Sequence, residues 1–187
     1  METTKKIIVI DGPRGVGKDT VIRVLLERHD EHFAKMLTTT TRAPRHGEKV
    51  GWDYHFTDEK TFLKKLKAGD IFEYTTYNNN YYGMSRHDVE ALLKTDKTLL
   101  FNVDVVGYRA LKKEFPNMVA GIYLTVDRAL LENRLHSLGE QNIAERLAYF
   151  DKKEAVKPEY DFVITNNNSI DECVDKILNL IHDRNKR

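Results

Sequence analysis

The segment Gly12-Pro13-Arg14-Gly15-Val16-Gly17-Lys18-Asp19-Thr20 constrains this chain more than any other. It follows Ile7-Ile8-Val9-Ile10, a short, wholly apolar run that reads as a strand buried on both faces, as in a parallel sheet. Behind it, Val21, Val24 and Leu25 mark the face of a helix from about Lys18 to His29. Strand, glycine-rich turn, lysine and helix in this order are the context of the Walker A phosphate loop. Glycines let the loop wrap so that backbone N–H groups converge on phosphate oxygens, and the helix N-terminus adds partial positive charge. Gly12 to Thr20 are therefore candidate ATP ligands, with Lys18 reaching the β- and γ-phosphates. The motif's last position normally carries a hydroxyl for Mg²⁺; here it is Asp19, and Thr20 comes one place later. A carboxylate is a good hard-cation ligand but also repels a triphosphate. We expect Asp19 and Thr20 to hold Mg²⁺ with ATP.

The rest of the chain alternates strands and helices. Leu99–Val103, Val119–Leu124 and Phe162–Ile164 read as further buried strands. Ser85-x-x-Asp88 and Ser169-x-x-Glu172 are helix-opening signatures, Thr125 is the expected N-cap of a helix over Asp127–Ser137, and Gly139 is its stop. Ile143, Leu147 and Phe150 stripe the next helix, and Val174, Ile177, Leu178 and Ile181 the last. The fold class is α/β, a P-loop NTPase core with a parallel sheet flanked by helices. Between residues 37 and 84 threonine, tyrosine, arginine and glycine dominate, around an amphipathic stretch at Phe62, Leu63 and Leu66. This region reads as a β-rich insertion with the composition of a binding surface. One domain over residues 1–187 is expected: core 1–36, 85–125 and 156–187, acceptor-binding region 37–84, lid 126–155.

Thr39-Thr40-Thr41-Arg42-Ala43-Pro44-Arg45-His46-Gly47-Glu48 sets two guanidiniums about a stiff proline turn, a geometry suited to a phosphate monoester. Gly51-Trp52-Asp53-Tyr54-His55-Phe56, Phe72-Glu73-Tyr74 and Asn80-Tyr81-Tyr82-Gly83 follow in order. Through TTTRAPRHGEKVGWDYHF, FEYTTYNNNYYG and NVDVVG the chain resembles the guanylate kinase family over nearly its whole length. The resemblance implies an ATP-dependent nucleoside monophosphate kinase acting on GMP or dGMP. It implies that Arg42, Arg45, Tyr54 and Tyr82 hold the acceptor phosphate, with Thr38 and Glu48 on the same surface. Glu73 would read the guanine N1 and exocyclic amine, Asp104 would lie nearby, Arg134 and Arg146 would reach over the transferring phosphoryl group, and Asn166 would lie near the adenine.

Three departures from that pattern bear on substrate and rate. Met84 stands where the family has a hydroxyl donor to guanine O6, Asn102 where it commonly has an aspartate, and Leu138-Gly139 where an Arg-Gly pair is frequent. The Lys18-Asp19 pair is also similar to that of the ribose bisphosphate phosphokinases, which leaves another acceptor as an alternative. A non-catalytic guanylate-kinase-like binding module is a third reading, disfavoured by the intact Gly12, Gly17 and Lys18. With Lys and Arg numbering 30 and Asp and Glu 29, the net charge of +1 does not suggest a nucleic-acid partner. No apolar run is long enough for a membrane span, and Cys173 is the single cysteine, so the cytoplasm is the expected compartment.

Overall fold

The computed structural model describes residues 6–184. The extreme ends of the expected core, 1–5 and 185–187, lie outside the described residues. Along the chain run β1 (Ile7–Asp11), α1 (Lys18–Arg28), β2 (Phe33–Lys35), β3 (Thr39–Thr40), β4 (His55–Phe56), α2 (Glu59–Lys67), β5 (Ile71–Tyr77) and β6 (Asn80–Ser85). Then come α3 (Arg86–Leu93), β7 (Thr98–Phe101), α4 (Val105–Glu114), β8 (Val119–Thr125), α5 (Arg128–Ser137), α6 (Ile143–Glu154), β9 (Phe162–Thr165) and α7 (Ile170–Arg184).

Strands β2-β7-β1-β8-β9 form one sheet in that order, with every neighbouring pair parallel. Alternation along β1 explains the two cores on its faces. Ile8 and Ile10 pack with α1, α5, α6 and α7, through residues such as Leu25, Leu131, Phe150 and Ile177. Ile7 and Val9 pack on the other face with Val89 of α3 and Tyr108 and Leu111 of α4. The phosphate loop leaves the carboxyl end of the central strand β1, the usual place for a ligand crevice in such sheets.

Strands β4-β3-β6-β5 form a second, mixed sheet, the predicted insertion. Its β5–β6 hairpin turns at Asn78 and Asn79, whose φ of 47° and 57° is the left-handed geometry that asparagine tolerates. Phe62 of α2 is fully buried against this sheet, stacked on Tyr81 at 5.2 Å, whereas Leu63 is exposed.

Ser85 accepts from the N–H of Asp88 and Ser169 from that of Glu172, as expected of N-caps. Thr125 does not cap α5. It ends β8 and donates its hydroxyl to Glu154, while Asp127 occupies the cap position and its N–H donates to Asn167. Helix α4 and the short strand β2 went unread in the sequence. Segment 126–155 folds as α5 and α6 and packs Leu131, Leu135, Leu147 and Phe150 into the first core.

Candidate active site

The phosphate loop depends on glycine where backbones crowd. Gly12 has φ 146°, and a Cβ there would lie 2.1 Å from the Leu124 carbonyl oxygen on β8. Gly17, φ 98°, opens α1 without a side-chain cap and leaves the first N–H groups of the helix for a ligand. Lys18 Nζ donates across the loop to the Pro13 carbonyl at 2.9 Å. Burial pushes its pKa below the ordinary lysine value, while Asp11 and Asp19 favour the charged form.

Asn166 lies just beyond the end of β9. It is 2% exposed, and its Nδ2 donates to the Val16 carbonyl from behind the loop at 2.8 Å. Its own carbonyl accepts from Arg134 at 2.9 Å. Asn166 and Arg134 thus brace the loop against α5.

Two departures from the family pattern meet in space. Asn102, just beyond β7, donates to Asp19 Oδ1 at 2.7 Å. A carboxylate oriented through one oxygen keeps the other for a hard cation or for that cation's water. Thr20 lies in the same first turn of α1. Among the described residues no three His, Cys, Asp or Glu side chains cluster to hold a metal ion. This donor set fits Mg²⁺ carried in mainly by nucleotide phosphates, with one carboxylate and a hydroxyl from the protein.

The second anion site is built on the insertion. Arg42 Nη2 donates to Glu48 at 2.8 Å, and the other Glu48 oxygen accepts from the Arg45 N–H at 2.7 Å. Glu48 holds the Arg42 pKa above the ordinary arginine value, and Arg42 in turn holds Glu48 below the usual carboxylate value. The Arg42 guanidinium lies over the Tyr54 ring at 5.4 Å, and Tyr54 meets Tyr82 edge-on at 6.0 Å. Burial raises the Tyr54 pKa, so its hydroxyl stays a donor. Glu73, half-buried on β5, has its pKa raised by burial and then by the Asp104 charge; both influences oppose ionisation.

One acceptor-side expectation needs correction. Met84 is 2% exposed and packs in the second core, so its thioether does not line an open acceptor surface. Asp104 is exposed and is the N-cap of α4: its Oδ1 accepts from Val106 and Gly107, and its charge acts on Glu73.

One cleft of about 830 Å³ is lined by Asp19 and Asn102 from the core and by Thr38, Glu48 and Tyr54 from the acceptor-binding region. At the turn between α5 and α6, Glu140 draws in Arg146 at 3.3 Å and Arg14 of the loop at 3.8 Å. Leu138, at the tip of that turn, is 74% exposed.

The guanylate kinase family model matches residues 4–184. The chain belongs to the guanylate kinase family. It is 33% identical over 184 residues to a guanylate kinase of Prochlorococcus marinus (strain MIT 9312), covering 97% of this chain and 99% of that one. It is 36% identical over 165 residues to one from Thermosynechococcus vestitus, with 87% and 86% covered. The crystal structure of guanylate kinase from Anaplasma phagocytophilum superposes with a TM-score of 0.73 at 27% identity, covering 98% of this chain and 87% of that chain. The SH3-kinase fragment of tight junction protein 3 shares the fold alone, at 12% identity and a TM-score of 0.59. These likenesses make the chain a phosphotransferase of this family and do not favour a ribose bisphosphate acceptor or a binding module.

Sequence reasoning missed the bond between Asp19 and Asn102 and a buried carboxylate at Asp11. The signal for the second was present: an acidic residue closing an otherwise apolar strand.

Proposed function

We propose that the chain transfers the γ-phosphoryl group of ATP to GMP or dGMP, giving ADP and GDP or dGDP. The observation that carries this reading is one cleft lined by Asp19, in the first turn of α1 just after the phosphate loop, and by Glu48 and Tyr54, the residues that hold Arg42. Backbone amides of Gly12 to Thr20 and the Lys18 ammonium hold the donor phosphates. Arg42, Arg45, Tyr54 and Tyr82 hold the acceptor phosphate, Thr38 and Glu48 frame them, and Glu73 offers two acceptors to the guanine N1–H and amine. An acceptor phosphate oxygen attacks the γ-phosphorus in line as the bond to the β,γ-bridging oxygen breaks. The acceptor is already an anion at neutral pH, so no protein base is required. What the chain supplies is alignment of two anions and compensation of charge on the transferring group.

Arg134 and Arg146 are the cations of the expected lid, on α5 and α6. In this geometry Glu140 and the Asn166 carbonyl occupy them, and both partners are exchangeable for phosphate oxygens. Asp19 and Thr20 would hold Mg²⁺, which when bound neutralises phosphate charge. A single buried cysteine suits a reducing cytoplasm, where these nucleotides are used. No helix among the described residues is long and apolar enough to cross a membrane.

The test is a coupled assay of ADP formation with GMP, dGMP, AMP, UMP, CMP and ribose 1,5-bisphosphate at equal concentration. Preference for GMP and dGMP is expected. Equal rates across the panel would refute the acceptor assignment.

A further inference from the structure

The last residue of β1, immediately before the phosphate loop, is Asp11, a carboxylate only 4% exposed. Two side chains from the far end of the sequence hold it. Lys153 Nζ lies 3.1 and 3.4 Å from its two oxygens, and the Tyr160 hydroxyl donates to it at 2.5 Å. Lys153 sits in the last turn of α6, where neighbouring Glu154 accepts from Thr125 at 2.8 Å and from Lys157 at 3.0 Å. This anchors α6 to the carboxyl ends of β1 and β8.

A carboxylate this deeply buried requires a counter-charge. Lys18 and Lys153 both supply positive charge near it: Asp11 stabilises the Lys18 ammonium, and Lys153 opposes it. Lys153 takes the carboxylate. Lys18 instead donates to the neutral Pro13 carbonyl, a partner that a phosphate oxygen readily replaces.

We propose that Lys153 is a positioning residue for nucleotide binding: by holding Asp11 it keeps the Lys18 ammonium free for donor phosphates. Without Lys153, the buried carboxylate recruits Lys18, and a nucleotide must first break that pair. The proposal rests on Lys18 being a phosphate ligand, so its test reads donor binding alone, independent of the acceptor.

ADP binding in the presence of Mg²⁺ is measured by titration calorimetry for the full chain and for Lys153→Met, Lys153→Arg, Asp11→Asn/Lys153→Met and Lys18→Ala. Lys153→Met is expected to weaken ADP about tenfold, a change of ~1.4 kcal/mol. Lys153→Arg keeps the charge and restores binding, and so does the double variant, which has no carboxylate left to capture Lys18. In steady-state kinetics the KM for ATP rises in Lys153→Met while the KM for the acceptor does not. Unchanged ADP affinity in Lys153→Met overturns the proposal, as does a double variant as weak as the single one, which would mark a packing role. If Lys153→Met fails to fold, the double variant decides alone: wild-type affinity supports the proposal and weak binding overturns it. Unimpaired binding in Lys18→Ala would instead remove the phosphate-loop reading on which the proposal stands.

Discussion

Replacing Glu73 with glutamine separates base reading from phosphate holding. The carboxylate is half-buried, and burial and the Asp104 charge both work against its ionisation. Its charge is therefore kept at a cost to the free protein, and guanine's adjacent donors offset that cost on binding. Hydrogen bonds to a charged acceptor are worth about 1.5–3 kcal/mol each. Glutamine keeps one acceptor and turns an N–H₂ towards a donor, so one such bond is lost and a repulsion added. The expected loss is about 3 kcal/mol, or roughly two orders of magnitude in kcat/KM for GMP. IMP lacks the exocyclic amine and should suffer less, so the GMP-to-IMP ratio falls by about tenfold. The pH sign follows from the same environment. A carboxyl whose folded pKa is raised binds its proton more tightly when folded, so native stability falls as pH rises through that raised value. Glu73→Gln removes this slope and should raise the melting temperature at neutral pH. In the wild type, KM for GMP should rise on acidification, beginning above the ordinary glutamate range. An unchanged GMP-to-IMP ratio in Glu73→Gln would refute the base-reading role.

Three further outcomes follow from the loop and the turn above it. Gly12→Ala places a Cβ against a backbone oxygen of β8 and should destabilise the fold by about 3 kcal/mol or more in urea denaturation; a loss under about 1 kcal/mol would contradict the close approach. Asp19→Ser removes the carboxylate that Asn102 orients, so the Mg²⁺ concentration at the midpoint of ADP binding should rise; an identical midpoint would end the metal assignment. Leu138→Arg puts a cation on an exposed position of the turn at no packing cost and should raise kcat up to about tenfold with KM little changed; an unaltered kcat would show that the turn does not reach the transferring group.

Much of the core was legible because its signals are local. The strands at Ile7, Leu99, Val119 and Phe162 announce themselves as short apolar runs, and the caps at Ser85 and Ser169 act within three residues of themselves. Helix α4 escaped because its cap, Asp104, stood in a stretch read for its family likeness rather than for its helical spacing. Met84 shows a different limit. It stands two residues beyond Tyr82 on β6, so both share a strand face, yet Tyr82 borders Tyr54 while Met84 lies in the core. Periodicity reports a face; it does not report how far along the strand the solvent stops.

The order of residues alone determined the phosphate loop, the apolar strands that build the sheet behind it, and the paired guanidiniums of Arg42 and Arg45, since each depends on neighbours within a few positions. Tertiary structure decided the rest: Asn166 on the Val16 carbonyl of the loop, Asn102 on Asp19, and Lys153 and Tyr160 on Asp11. These groups lie far apart along the chain and meet only where the strand ends converge. Which ion takes which partner there is set by burial and competition among nearby charges, and neither quantity exists until the chain has folded.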